Sequence, residues 1–255
     1  MCRTGGGVAL EISYRVVYHR PIPDPKAAMT ASSKPRTARK QRRSMDDDVR
    51  EKKREDILAA AEALFFERGY AQTTVADIVD ALGVTKPYLY YYFNGKDDIF
   101  EQLCWRASVA CLTSMHTDPG DLRPAGIRLQ EGLHRLAVAN IRHFRAGTFA
   151  YRETGALAAP FQARLRAMAR VFHRELRDLL EQARTEGSVE FGNLMLTSHA
   201  IGSVVGFMYT WYKPGGPIAQ DDMADEITRI LMNIAGFRPP AAKRHAGTAG
   251  AKEKT

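Results

Sequence analysis

The sequence predicts an all-α protein, a small N-terminal helical unit followed by a larger helical bundle. Three observations carry that expectation. Apolar residues recur at steps of three and four through nearly every ordered-looking segment, the period of one helix face. No segment pairs strand-like alternation with hairpin turn chemistry, and nothing repeats at 20–50 residues. Gly69, Gly83, Gly95, Gly120 and Gly187 fall between the periodic segments.

The elements follow in order. Asp46–Arg68 carries Ile57, Leu58, Ala61, Leu64 and Phe65 on one stripe and stops at Gly69. Its acids Asp46–Asp48 are expected near the positive end of the helix dipole. Thr74 starts a short helix as N-cap, with Asp77 three residues on as capping-box partner and Val75, Ile78, Val79 and Leu82 on the inner face. Gly83 breaks it. Thr85 caps a third short helix in which Pro87 sits in the first turn, where proline is tolerated. That helix ends at Phe93-Asn94-Gly95, and Lys96-Asp97-Asp98 opens a fourth running toward Met115. Asp121 and Pro124 begin a long helix through Leu129, Leu133, Leu136 and Phe144 to Gly147, followed by a short segment, 148–157. Phe161, Leu165, Met168, Phe172, Leu176 and Leu179 form the cleanest amphipathic stripe, closed by Gly187. Helices over Asn193–Tyr212 and Asp221–Ala235 complete the bundle.

Charge is unevenly spread. The 255 residues carry 37 basic and 29 acidic side chains, a net of +8. Ten of the basic and two of the acidic residues lie in residues 1–44, which leaves 27 of each in the remainder. The body is neutral, so nucleic-acid binding has to be argued from local residues rather than from the overall charge. The leader is Ser/Lys/Arg/Pro-rich and is expected to be disordered, as is the polar stretch after residue 238. Cys104 and Cys111 are seven residues apart, ~10 Å along a helix axis, too far to bridge. With no disulfide framework and no signal-peptide pattern, a reducing cytoplasm is expected. Phe191–Tyr212 lacks any charge over 22 positions, but its Asn, Thr, Ser and His residues favour a buried soluble helix over a membrane span.

Residues 74–93 form a helix, a glycine turn and a second short helix, the spacing that sets the second helix into a DNA major groove. Leu89 and Phe93 would anchor that second helix inward, while Lys86, Tyr88, Tyr90, Tyr91 and Tyr92 project around its other faces. Tyrosine suits such a surface: its hydroxyl reaches phosphate or a base edge while its ring packs on sugar or a thymine methyl. The run from Arg54-Glu55-Asp56-Ile57-Leu58 through Thr73-Thr74-Val75-Ala76-Asp77-Ile78, Gly83-Val84-Thr85-Lys86-Pro87, Leu89-Tyr90-Tyr91-Tyr92-Phe93 and Lys96-Asp97-Asp98-Ile99 resembles the DNA-binding domain of TetR-family repressors over about 50 residues. The resemblance implies a homodimeric, ligand-responsive regulator of transcription on double-stranded, palindromic operator DNA. It implies phosphate contacts at Thr74, Thr85, Tyr90, Tyr91 and Lys96, and groove-facing positions at Lys86, Pro87, Tyr88 and Tyr92. Tyr88 is bulky where many members carry a small residue. The implied domains are a disordered tail (1–45), a helix-turn-helix domain (46–96), a ligand-binding and dimerisation domain (97–238) and a second tail (239–255).

The bundle resembles the family only in outline. The run Met208-Tyr209-Thr210-Trp211-Tyr212-Lys213-Pro214-Gly215-Gly216 is similar to a subgroup that senses acyl-CoA thioesters, which makes a small hydrophobic effector of that class a candidate. Cys104, Phe144, Phe149, Met168, Phe172, Phe207 and Trp211 are candidate pocket residues. Ser198, Gly202, Gly206 and Thr210 recur every four residues as a small-residue stripe, expected at the dimer interface, with an intramolecular contact as the alternative. Arg164, Arg166, Arg170, Arg174 and Arg177 crowd one helix: a solvated face, or a partner for the phosphates of a CoA ester. Seven scattered His and no paired Cys leave no metal-ligand spacing, and no catalytic or cofactor signature appears. The competing reading is a helical small-molecule-binding protein or enzyme that does not bind DNA.

The charge distribution gives a direct test. Deleting residues 1–44 should lower affinity for random DNA and flatten its salt dependence while leaving the operator-to-random ratio intact. Fluorescence anisotropy on both DNAs at two salt concentrations checks it, and loss of the ratio would make the leader a sequence-reading arm.

Overall fold

The computed structural model describes residues 36–238. The chain divides into two units, residues 1–49 and 50–255. Within the described residues, the first unit is helical from Arg36 onward. The second holds the rest of the fold. The helices are α1 (Arg36–Arg68), α2 (Val75–Leu82), α3 (Lys86–Tyr92), α4 (Lys96–Leu112), α5 (Ala125–Arg142), α6 (Phe144–Arg152), α7 (Ala159–Thr185), α8 (Leu194–Gly206) and α9 (Gln220–Ile234), with 3-10 turns at Thr154–Ala156 and Met208–Thr210. Among the described residues there is no strand, only one isolated antiparallel bridge between Val189 and Phe237. No helix there is long and apolar enough to cross a membrane.

Four boundaries differ from the sequence reading. Helix α1 begins ten residues before Asp46, inside the run expected to be disordered; its arginines, lysine, glutamine and alanine are strong helix formers. Asp46–Asp48 therefore lie mid-helix, and the first turn carries no acid. The rest of the expected leader, and the polar tail from 239, lie outside the described residues. The fourth helix ends at Leu112, short of Met115. The helix expected to reach Gly147 is broken at His143 (φ −102°, ψ 25°), which starts α6 as a separate element. The last long apolar helix stops at Gly206, where Phe207 (φ −94°, ψ 9°) turns the chain into a 3-10 segment.

Two apolar cores organise the second unit. In one, Ile57, Leu58, Ala61 and Phe65 of α1 pack with Ile78 and Val79 of α2, Leu89 of α3, and Ile99, Phe100 and Leu103 of α4. Ala146 and Phe149 of α6 and Phe161 of α7 belong to this same cluster. The other joins α5, α7, α8 and α9 through Leu129, Leu133, Leu176, Leu180, Ile201 and Leu231, all fully buried.

The helix-turn-helix is set by local chemistry. Thr74 and Asp77 form the reciprocal capping box: the Thr74 amide donates to Asp77 Oδ2 (2.7 Å) and the Asp77 amide to Thr74 Oγ1 (3.2 Å). Gly83 closes α2 in the left-handed region (φ 64°), where a side chain would be strained. Arg54 then fixes the far end of α3. Its guanidinium donates to the Tyr92 carbonyl (2.8 Å) and to Gln102 Oε1 (2.6 Å), and lies 4.6 Å from the centre of the Phe93 ring.

Arg54→Met keeps the stem and removes those bonds. Charge-assisted hydrogen bonds of this kind are worth on the order of 2 kcal/mol, so the urea midpoint should fall accordingly. An unchanged midpoint would show that apolar packing alone seats α3.

Candidate nucleic-acid interface and effector cavity

Helix α3 has only two turns, so it divides its side chains sharply. Leu89 and Phe93 are buried, 0% and 2% exposed, as the four-residue spacing predicts. Thr85, Lys86 and Pro87 are exposed at its start. Thr85 occupies the N-cap place, but its side chain makes no capping bond, unlike Thr74. Tyr90 and Tyr91 stand furthest into solvent, 54% and 66% exposed, with the Arg50 guanidinium 5.4 Å from the Tyr91 ring centre.

The remaining candidates are more tied to the protein than expected. Tyr88 and Tyr92 are half-buried, their rings 5.2 Å apart and packed on the core, and burial pushes the Tyr92 hydroxyl's pKa up. Thr74 is exposed, yet its hydroxyl is engaged with Asp77. That carboxyl is held below the usual aspartate range, chiefly by the Thr74 hydroxyl. Lys96 is half-buried: its ammonium donates to the Tyr70 carbonyl (2.9 Å) and sits 4.2 Å from the Tyr70 ring centre. The Tyr70 hydroxyl in turn donates to Asp97. Lys96 is thus a tether between the α1–α2 turn and α4. Arg50, Arg54 and Tyr70 were not singled out by spacing, because their partners lie up to 48 residues away.

Of the candidate pocket residues, Phe144 lines a small cavity. Cys104 and Phe149 are buried under the helix-turn-helix, and Phe172 is buried in the bundle. Met168 is half-buried. Phe207 and Trp211 are exposed, 57% and 50%, because the chain leaves the helix at Gly206. The cavity lies where α4, α5, α6 and the end of α8 meet, with about 20 Å³ of free space, room for a single water. Its apolar walls include Phe144, Val205 and Met208; its polar groups are Asn140, His143 and Tyr151. Burial lowers the pKa of His143, with Arg142 and Arg106 adding to the effect, so the ring is neutral near pH 7. Burial raises the pKa of Tyr151, which stays a hydrogen-bond donor, and pushes the Cys111 thiol up to about 12. A second, open groove of about 730 Å³ runs between α5 and α9. Charged residues rim it, with Glu131 held by Arg123 and His134 3.5 Å from Asp225. It touches neither α4 nor α6, so the small cavity is better placed to influence the helix-turn-helix.

The small-residue stripe faces inward. Ser198 is fully buried, a Cβ at Gly202 would lie 3.4 Å from His173, and one at Gly206 would lie 3.1 Å from the Tyr151 hydroxyl. Only Thr210 is exposed. Small residues here let α8 approach α6 and α7 of its own chain. The outward side of α8 carries Leu196, His199, Ala200, Ser203 and, just past its end, Phe207, all exposed. Among the described residues, no group of three His, Cys, Asp or Glu could hold a metal ion.

Comparison with known proteins gives a consistent picture. Residues 57–103 match the family model for bacterial regulatory proteins of the tetR family, and residues 123–235 match a tetracyclin repressor-like C-terminal domain. The transcriptional repressor KstR2 of Mycobacterium tuberculosis is 26% identical over 190 residues, 71% of this chain and 91% of that protein. The TetR-family regulator PfmR of Thermus thermophilus superposes with a TM-score of 0.60 at 22% identity, covering 69% of this chain and 97% of that one. AibR, solved with isovaleryl coenzyme A and operator DNA, superposes with a TM-score of 0.57 at 20% identity, covering 72% and 100%. The capped α2, the glycine turn and the tyrosine-bearing α3 lie within the residues that match the tetR family model, and the chain belongs to the TetR family of ligand-responsive, DNA-binding transcriptional regulators.

Proposed function

We propose that this chain is a homodimeric cytoplasmic repressor that leaves a palindromic operator when an acyl-CoA thioester enters the cavity beside α6. Residues 46–96 read DNA and residues 97–238 sense the effector and dimerise. Thr85, Lys86, Pro87, Tyr90 and Tyr91 meet phosphates and base edges directly, while Tyr88 and Tyr92 shape the helix surface they stand on.

The observation that carries this reading is the double allegiance of α6. Ala146 and Phe149 lie in the core beneath the helix-turn-helix, while Phe144, Gly147, Thr148 and Tyr151 line the cavity. Close-packed walls around about 20 Å³ cannot admit an acyl chain without moving. Any displacement of α6 presses on Phe65 and Phe100, and Cys111 brings α4 into the same wall. A coupling of ~1–3 kcal/mol would change operator affinity ~5–150-fold. The neutral His143 ring offers an N–H suited to a thioester carbonyl in apolar surroundings. The coenzyme A ester held by the structurally similar AibR supports that effector class. With its thiol protonated, Cys111 is a wall rather than a nucleophile, which favours a binding role over catalysis.

Two tests follow. Tyr91→Ala should weaken operator binding by at least tenfold in fluorescence anisotropy without moving the melting temperature. Lys96→Ala should lower both, since it loses the Tyr70 tether as well. Hexanoyl-CoA should release the wild-type operator complex; undiminished binding in Tyr91→Ala, or no release by acyl-CoA esters, would overturn the corresponding half of the reading.

For the dimer, we place the contact on the outward side of α8, with small Ala200 and Ser203 between Leu196 and Phe207 allowing a second α8 to cross closely. Ala200→Glu should give monomer by light scattering and abolish operator binding. Gly206→Leu should remain dimeric, because its side chain would strike Tyr151 instead, and should block effector response. A monomeric Gly206→Leu protein beside a dimeric Ala200→Glu protein would move the interface back to the small-residue stripe.

A further inference from the structure

The five arginines of α7 are not a uniformly solvated face. Arg164 lies 4.1 Å from the centre of the Trp105 ring, toward α4. Arg166, Arg170 and Arg174 recur at steps of four on the side away from buried Phe172 and Leu176, and all three are exposed. Among the described residues, no carboxylate lies within 4 Å of any of them. Glu175, the acid in their midst, is turned to His116 at 3.1 Å. Like charges at four-residue spacing repel, and Asp178, one turn past Arg174, is the next acid along the face, so Arg166 to Arg174 form a net positive field on one helix.

Its edge meets α8 in an unusual way. The His173 ring stacks on the His199 ring of α8, with centroids 5.5 Å apart and planes 15° from parallel. His173 Nδ1 is buried without a hydrogen-bond partner. Gly202 leaves room for this ring; one helical turn further, ~6 Å along α8, Gly206 leaves room for Tyr151 at the cavity. The seam between α7 and α8 thus runs from a cationic, histidine-edged surface toward an apolar cavity. A ligand with a polyanionic head and an apolar tail has that distribution of chemistry.

We propose that Arg166, Arg170 and Arg174, with His173 at their edge, bind the phosphates of the effector's nucleotide head while its acyl chain passes Gly206 into the cavity. This rests on the acyl-thioester reading above and assigns the part of the protein that distinguishes a CoA ester from the free acid. Guanidinium forks bind phosphate through paired charge-assisted hydrogen bonds, and three in a row can engage separate phosphates. His173 supplies a reporter. Burial, His199 and Arg177, in that order, hold its pKa down. A phosphate arriving beside it raises that pKa, because a nearby negative charge favours the imidazolium.

The test uses the full-length dimer. Isothermal titration with hexanoyl-CoA, coenzyme A, hexanoate and inorganic pyrophosphate should give hexanoyl-CoA at least tenfold tighter binding than hexanoate. Arg170→Ala/Arg174→Ala should weaken hexanoyl-CoA and coenzyme A at least tenfold while leaving hexanoate and ligand-free operator affinity unchanged. The C2-proton titration of His173, followed by NMR, should move to higher pH with coenzyme A in the wild type and not in that variant. If hexanoyl-CoA releases the wild-type operator complex and the double variant binds it equally well, this assignment fails and the acyl-thioester reading stands. If hexanoyl-CoA does not bind the wild type, both fail. Pyrophosphate binding as tightly as coenzyme A would make this a site for a free phosphate ligand, and loss of operator affinity alone would make it a DNA contact; either overturns the proposal.

Discussion

Three phenylalanine rings, one from each of three helices, hold the helix-turn-helix to the helical bundle. Phe65 of α1 lies 5.8 Å from Phe100 of α4 at 81°, and 6.2 Å from Phe149 of α6 at 86°; Phe100 and Phe149 are 6.1 Å apart. Edge-on packing of this kind places the positive rim of one ring against the negative face of another and favours a small set of angles. Helix α6 therefore cannot slide past α1 and α4 by a continuous drift; it must carry the rings with it or repack them. Tyr70 extends the cluster, 4.3 Å from Phe100, and through its carbonyl it holds Lys96 at the start of α4.

That anchoring matters because α3 is too short to stand alone. A seven-residue helix falls short of the roughly 12–15 residues at which an isolated helix is even marginally stable in water. Its order comes from outside itself: Leu89 and Phe93 beneath, Arg54 on its last carbonyl, and the capped α2 in front. Tyr90 and Tyr91 gain rigidity without giving up exposure. In the proposed DNA complex, a tyrosine presented this way adds no backbone ordering to the cost of contact, since its backbone is already fixed.

Features written in contiguous residues were legible in the sequence. The Thr74–Asp77 box, the Gly83 turn and the inward Leu89–Phe93 pair each depend on neighbours within four residues. Those that depend on distant partners were not. Lys96 reads as a free cation until Tyr70, 26 residues earlier, is placed under it. The stripe Ser198–Gly202–Gly206 announces close approach but not to whom; His173 and Tyr151 answer that only in three dimensions. Uncharged composition over 191–212 suggested a buried helix, yet Met195, Leu196, Phe207 and Trp211 are exposed. Periodicity marks an apolar face without saying whether the same chain or a partner covers it. The pocket candidates divide for a related reason: large apolar residues fill cores as readily as they line cavities, so Cys104, Phe149 and Phe172 pack in cores while Phe144 also lines a cavity.

The position of α8 gives the proposed sensing mechanism its direction. One side of this helix closes the cavity through Val205 and Gly206, and its opposite side carries Leu196, Ala200 and Ser203 into solvent in the isolated chain. In the proposed dimer that outer side is occupied by a second copy, so α8 is supported from behind. A cavity expanding around an acyl chain then meets unequal walls. Helix α5 is fixed by its packing on α7 and α9, and α8 by the partner, whereas α6 is nine residues long and ends in a 3-10 turn. The movable wall is the one that bears Phe149. Dimerisation in this arrangement does more than bring two reading heads together: it turns an expansion with no preferred direction into a displacement toward the helix-turn-helix.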